Sequence, residues 1–322
     1  MTHRPRHETH ATASDAPLVP QSPPGSAPGA DAAMRGFIFA FFAYLIWGFL
    51  PLYMKAVAHI PPLEVVAHRI VWSVPIAGVL LWMLGRTGDI AAALRSPRTL
   101  AMAALTACII SVNWLIYVWA VTGGRAVETA LGYYINPLVS VMLGALLLGE
   151  RLTRAQMVAV GLAAMAVAIL TIDAGGLPWV SLTLAISFAA YGFFKKTLPV
   201  GPSQGFFLEV AILGLPALAY LVYLQAMGTA HFVPSRMADI WLLLFAGPVT
   251  AVPLLLYAFG AKLLRISTLG IMQYIAPTMI AAIAIFVFGE PFGLTRMLAF
   301  ALIWIALAIY TWSMITASRR GS

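Results

Sequence analysis

Residues 61 to 73 read PPLEVVAHRIVWS, and three of them ionise: Glu64, His68 and Arg69. Glu64 and His68 are four apart, so on a helix they share a face. The imidazole can change charge between about pH 5 and 8, which gives the pair the means to hold and release a proton. A quieter role exists for each: Glu64, just after Pro61 and Pro62, complements a helix N-terminus, and His68 is a hydrogen-bonded core residue. Arg69 stands about eight residues into an apolar stretch. An arginine in such a place must find a carboxylate, its own or a visitor's.

Other polar and aromatic residues interrupt apolar runs in the same way. Asn113 and Tyr117 are one helical turn apart in NWLIYVWAV, and Tyr133, Asn136 and Pro137 fall in LGYYINP at 131–137. Glu209, Tyr257, Gln273, Tyr274 and Pro277 follow in the second half. Pro137 cannot donate an N–H, and its ring pushes away the carbonyl of residue 133. Pro277 does the same for its own segment, so both are expected helix breaks. Gly132 shares a face with Asn136, and Tyr133 with Pro137. Asn136 either bonds a neighbouring helix or lines a cavity.

These residue types bind and orient; they do not assemble a reaction centre. GPSQG at 201–205 fits the G-x-S-x-G pattern, but that nucleophile needs a strand before it and a helix after it. There is no GxxxxGK[ST] for a nucleotide and no HExxH for zinc. His3, His7 and His10 have no further ligand to suggest a metal, and no cofactor is expected. The lone cysteine, Cys108, is expected to be a small buried residue.

The elements that must position these groups follow from composition. Apolar residues make up 61% of the 322 and charged residues 9%. Soluble domains are nearer 45–50% and ~25%. An all-α membrane protein is therefore expected. A bilayer core of ~30 Å needs ~20 helical residues. Ten runs qualify: 34–57, 64–84, 99–121, 126–148, 155–172, 178–196, 204–226, 237–260, 267–288 and 293–316. Residues 1–33, rich in Pro, Ala, Ser and His, read as a disordered tail and not as a signal peptide.

The net charge of +8 points to topology, not to nucleic acid. Arg35, Arg86, Arg95, Arg98, Arg151, Arg154, Lys195, Lys196, Lys262 and Arg265 share one side of the ten spans; Lys55, Arg125, Arg236 and Arg296 lie on the other. The positive-inside rule places both termini in the cytoplasm. Lys195 and Lys196 then snorkel to that interface, and Trp119 joins an aromatic belt on the far side. Ser140 and Gly144 give a small-xxx-small spacing for close packing, expected against span nine.

A shift of 140 residues superposes Tyr117 on Tyr257, Tyr134 on Tyr274, Pro137 on Pro277 and Gly149–Glu150 on Gly289–Glu290. The chain thus divides into 34–172 and 178–316, with a short tail at 317–322. Five spans per half is odd, so the halves must run in opposite senses. Inverted repeats of this kind surround midplane solute sites. The shift also sets Glu209 at the depth of Arg69, which makes an Arg69–Glu209 pair, or an Arg69–Glu64 pair, the expected partner choice.

LIWGFLPLYMKA, EVVAHRIVWS, NWLIYVWAV and ALGYYINPLVSVMLGALLLGERLTRAQ closely resemble the RarD group of EamA-type drug/metabolite transporters, over about residues 34 to 315. The resemblance implies ten helices in two inverted EamA repeats and efflux or exchange of small molecules across the bacterial inner membrane. Taken with the residues, the expectation is a permease, not an enzyme. Glu64, His68, Arg69, Asn113, Tyr117, Tyr133, Asn136, Glu209, Tyr257, Gln273 and Tyr274 would face a small-molecule solute. Protons are a candidate coupling ion through Glu64 or His68. The rival is a sensor or scaffold with a closed core that moves nothing.

Overall fold

The computed structural model describes residues 30–148, 152–264, 268–269 and 272–320. Among them the regular structure is helical. The helices are α1 (Ala30–Ala56), α2 (Pro62–Met83), α3 (Thr87–Leu94), α4 (Pro97–Thr122), α5 (Ala126–Leu148), α6 (Arg154–Ala174), α7 (Trp179–Thr197), α8 (Pro202–Ala226), α9 (Met237–Leu263), α10 (Ile275–Ala282) and α11 (Leu294–Arg320). A π-helical stretch, Ile283–Val287, prolongs α10. Among the described residues eight helices are long and apolar enough to cross a bilayer; the apolar helices at Trp179–Lys195 and Ile275–Val287 are shorter. Gly149, Glu150 and Arg151, on which part of the repeat rests, lie outside the described residues, as does the tail up to residue 29. Helix α1 begins at Ala30, inside the stretch read as tail.

Local chemistry sets the helix ends. Pro97 opens α4, whose N-cap Ser96 accepts from the Thr99 amide. Thr153 and Gln156 form a capping box at α6, and Gly175 ends that helix with a left-handed φ of 65°. α3 is a short helix between two spans that the apolar runs did not announce. Its eight residues, TGDIAAAL, are too few and too polar to stand out.

The molecule wears its apolar surface outward. Trp82, Phe286 and Trp312 are exposed, while Glu64, Arg69, Asn113 and Glu209 are buried. Lipid, not water, matches that distribution. Cys108 is exposed on α4, contrary to expectation; a thiol is apolar enough to face lipid.

α2 packs on α8 and α9, α1 on α9 and α10, α4 on α7 and α8, α5 on α7 and α10, and α6 on α11. Glycines permit the closest approaches. A Cβ at Gly247 would lie 2.7 Å from the Trp72 carbonyl oxygen, and one at Gly132 would lie 2.7 Å from that of Ser181. Gly132 therefore presses α5 onto α7. Ser140 is exposed and bonds the Asn136 carbonyl of its own helix at 3.0 Å, so the close approach of α5 to α7 is at Gly132. Gly132→Ala is expected to cost about 1–3 kcal/mol by overpacking, seen as a lower apparent melting temperature in detergent; an unchanged midpoint would mean that the two helices are free to part.

α5 runs on through Pro137 as one helix. The expected break there is at most a kink, because the turns on either side keep their own hydrogen bonds. Pro277 stands in the first turn of α10, where a missing N–H costs little.

Candidate functional site

Arg69 sits at the centre of the best-defined polar cluster, 4% exposed. Its Nε donates to Thr250 Oγ1 on α9 at 2.9 Å. Thr250 in turn donates to the Ala246 carbonyl at 2.8 Å, which orients its lone pairs toward the guanidinium. The guanidinium lies over the Trp114 ring, 5.1 Å from its centroid, a favourable cation–π placement. Tyr53, Tyr117 and Tyr133 stand within electrostatic reach of the charge. Tyr53 is held by a bond from its hydroxyl to the Leu242 carbonyl at 2.8 Å. Arg69 Nη1 and the Tyr117 hydroxyl are buried without a hydrogen-bond partner.

Neither expected carboxylate reaches Arg69. Glu209 accepts from Lys195 Nζ at 2.6 Å and from the Tyr191 hydroxyl at 3.1 Å. Glu64 accepts from the backbone N–H of His231 at 2.7 Å and contacts its Nδ1 at 2.8 Å. The reasons are geometric. Glu64 and Arg69 are five apart, ~140° around the helix. Lys195, expected to snorkel, instead lies within reach of Glu209 from the neighbouring α7.

Asn113 links three helices. Its Nδ2 donates to the Leu184 carbonyl at 3.1 Å and to Ser187 Oγ at 2.9 Å on α7, and its Oδ1 accepts from the Tyr133 hydroxyl of α5 at 3.4 Å. The Tyr133 ring lies 5.9 Å from Tyr117 and 5.9 Å from Phe188. Asn136, on the Gly132 face of α5, donates to the Ala185 carbonyl at 3.4 Å. Of its two expected roles, the interhelical bond is the one seen.

The remaining residues fall into three other places. Tyr257 packs with Trp47 (5.7 Å) and Tyr44 (6.0 Å), and Tyr191 is close enough to feel it. His68 accepts at Nδ1 from Trp72 Nε1 at 3.0 Å and stacks on Phe232 at 5.1 Å, near Glu64 and His231. Tyr274, with Gln273 beside it, stacks on Tyr134 at 6.4 Å. Tyr134 and Thr278 share a 2.6 Å hydroxyl contact there. Tyr134, Tyr274, Thr278, Trp304, Thr311 and Trp312 line a groove of about 520 Å³ between α5, α10 and α11. Arg69, Asn113, Tyr117 and Tyr133 thus come together, and Gln273 and Tyr274 stand apart from them. Among the described residues no set of three or more His, Cys, Asp or Glu is placed to hold a metal.

Sequence reasoning missed Trp114, Thr250, Tyr53, Lys195 and Tyr191 as partners. A threonine in the apolar middle of span eight was the one available signal for Thr250.

One end of the bundle is tied across the two halves of the chain. His59 meets Asp239 at 2.7 Å, Glu64 meets His231, Thr295 donates to Asp173 at 2.9 Å, and Glu290 accepts from the Ala126 and Val127 amides at 2.7 and 2.8 Å. At the other end Thr153 and Ser313 approach at 3.3 Å.

The profile of the EamA-like transporter family matches residues 34–172. Protein RarD of Streptomyces exfoliatus is 44% identical over 285 residues, covering 88% of this chain and 90% of that protein. Protein RarD of Escherichia coli is 39% identical, covering 89% and 97% respectively. A solved crystal structure at 20% identity superposes with a TM-score of 0.56, covering 91% of this chain and 99% of that one, so the fold is shared. With its spans, its inside-out polarity and these relatives together, the chain is a multi-pass bacterial membrane protein and a transporter, belonging to the RarD group of the EamA-like family.

Proposed function

We propose that the chain is a secondary permease that exports or exchanges a small metabolite or drug across the inner membrane by alternating access. Two five-span halves of opposite sense, 34–172 and 178–316, would rock about a shared polar core. The observation that carries this reading is the Arg69 cluster. A cation with unpartnered donors is buried where α2, α4 and α5 of one half meet α9 of the other. A finished structural core pairs such groups, because an unpaired buried donor is costly. The rival, a non-transporting sensor or scaffold, draws on the burial of Glu64, Asn113 and Glu209 and on their protein partners. It leaves Arg69 and Tyr117 unexplained.

Helix packing supports the repeat. Exchanging the halves turns α1–α9 into α7–α4, α5–α7 into α10–α1, and α2–α9 into α8–α4, all of which are in contact. α2–α8, α5–α10 and α6–α11 map onto themselves. Tyr134 and Tyr274, equivalent by the 140-residue shift, stack on each other as partners on a two-fold axis would. With the termini cytoplasmic, the tied end of the bundle is the external face. The ties then hold it shut, as an inward-facing state requires.

The experiment is a metabolite comparison of cells with and without the gene, followed by counterflow of each differing solute in proteoliposomes. Movement of one solute is expected; movement of none sinks the permease reading. Repeating the assay with and without a pH gradient tests coupling through Glu64 or His68, and equal rates reject it. Topology is read from single cysteines in a Cys108→Ala background. Thr229→Cys should react with an impermeant maleimide added to intact cells, and Arg95→Cys should not.

A further inference from the structure

The geometry points to the solute class: a small organic monocarboxylate with a flat, apolar body, whose carboxylate pairs with Arg69. This rests on the permease reading above and goes further by naming what the site takes. Three observations support it. First, Arg69 carries a positive charge that no carboxylate among the described residues matches. Its described hydrogen-bond partner is a neutral hydroxyl, Thr250, and its Nη1 has none. A buried charge without a counter-charge is strongly unfavourable, so the site is built to be completed by an anion.

Second, the acidic groups that might have matched it are held elsewhere. Glu209 is bound by Lys195 and Tyr191, and Glu64 by His231. This arrangement keeps the carboxylates of the protein from competing with a ligand. Lys195 is likewise matched by Glu209, so among the described residues of the buried core one positive charge is left over. One charge fits a monoanion; a phosphate ester, at about −1.5 to −2, would call for a second cation.

Third, the donors and the rings are placed for a carboxylate on a flat body. The free Nη1 and the Tyr117 hydroxyl, 2% exposed, can each donate to one carboxylate oxygen. Trp114 lies against the guanidinium, and the Tyr117 and Tyr133 rings are 5.9 Å apart. Such walls favour an aromatic or other planar body over a sugar-like one.

The test uses the purified full chain in nanodiscs, with the apparent melting midpoint as readout. The probes are benzoate, phenylacetate and indole-3-acetate, each against its primary amide, and inorganic phosphate. At least one carboxylate is expected to raise the midpoint in a saturable way, while its amide and phosphate do not. Arg69→Met should abolish that response and, without ligand, melt no lower than the parent. Arg69→Lys should weaken apparent affinity about tenfold or more, since a guanidinium fork is replaced by a point charge. Tyr117→Phe should weaken it several-fold with the unliganded midpoint unchanged. If no carboxylate in the panel stabilises the chain, if the amides act equally, or if Arg69→Met keeps the response or melts well below the parent, the inference is overturned. Counterflow of the stabilising carboxylate separates this from the permease reading. Binding without movement sinks the permease and leaves the site; full movement of some other solute by Arg69→Met keeps the permease and sinks the site.

Discussion

Lys195→Met is expected to lower the stability of the chain by about 3–5 kcal/mol, and adding Glu209→Gln is expected to restore most of it. Glu209 is 2% exposed, with its Oε1 2.6 Å from Lys195 Nζ and its Oε2 3.1 Å from the Tyr191 hydroxyl. Removing the ammonium leaves a carboxylate in a medium that cannot hydrate it. The methionine keeps the length and apolar stem of the lysine, so the loss is of charge and not of packing. In the double variant both charges are gone and the Tyr191 hydroxyl still has an amide oxygen to meet. The measurement is a two-mutation cycle of thermal inactivation half-lives in detergent, because polytopic proteins seldom unfold reversibly. A double variant as unstable as Lys195→Met alone would mean that the lysine acts through shape. An undamaged single variant would mean that Glu209 takes a proton or another partner. The cycle also bears on the proposed solute site, since it asks whether Glu209 is locked away from Arg69 in the protein at work.

Spans and core polarity were legible because each is written locally. Lipid-length apolar runs can be counted along the chain, and Arg69 or Asn113 is conspicuous in one. The partners were not legible, because they are set by how helices cross. Glu209 was matched to Arg69 through the 140-residue shift, but equivalence under the proposed two-fold axis, with the halves in opposite senses, gives the same distance from opposite faces, not contact. Residues related in this way meet only near the axis, where the proposed repeat would put the stacked Tyr134 and Tyr274. The actual partner of Glu209 stands 14 residues away on the preceding helix, where a short loop, 198–201, and a change of direction hide it. Asn136 was conspicuous, yet its partner is a backbone carbonyl on α7, and every residue has one of those. Gly132 was read only as a neighbour of Asn136 on one face; that it lets α7 come close required the structure. The unbroken helix at Pro137 shows the reverse error. A proline signals a lost hydrogen bond, and a helix of 23 residues can lose one and continue.

Glu290 supplies the second large effect. In the sequence Gly289–Glu290 is only a mark of the repeat. In the fold its carboxylate spans the two halves and accepts from the amides of Ala126 and Val127, at the N-terminus of α5. Those amides have no partner within their own helix, and the carboxylate meets the positive end of the helix dipole. It is 8% exposed, so water does not stand in for it. Glu290→Ala should cost about 3 kcal/mol, the scale of hydrogen bonds to a charged group. Glu290→Gln should recover less than half, because its oxygen can serve one amide while its NH₂ is set against the other. The specific readout is hydrogen exchange of the peptide covering residues 124–131. Exchange there should quicken by about a hundredfold in Glu290→Ala, with distant peptides in α8 unchanged. α5 carries Tyr133 and Asn136, and its other end is free of this tie. Slow exchange at 126 and 127 in the alanine variant would show that the bonds at 2.7 and 2.8 Å do not hold α5, and this end of the bundle must then be tied by the His59–Asp239 and Glu64–His231 contacts instead.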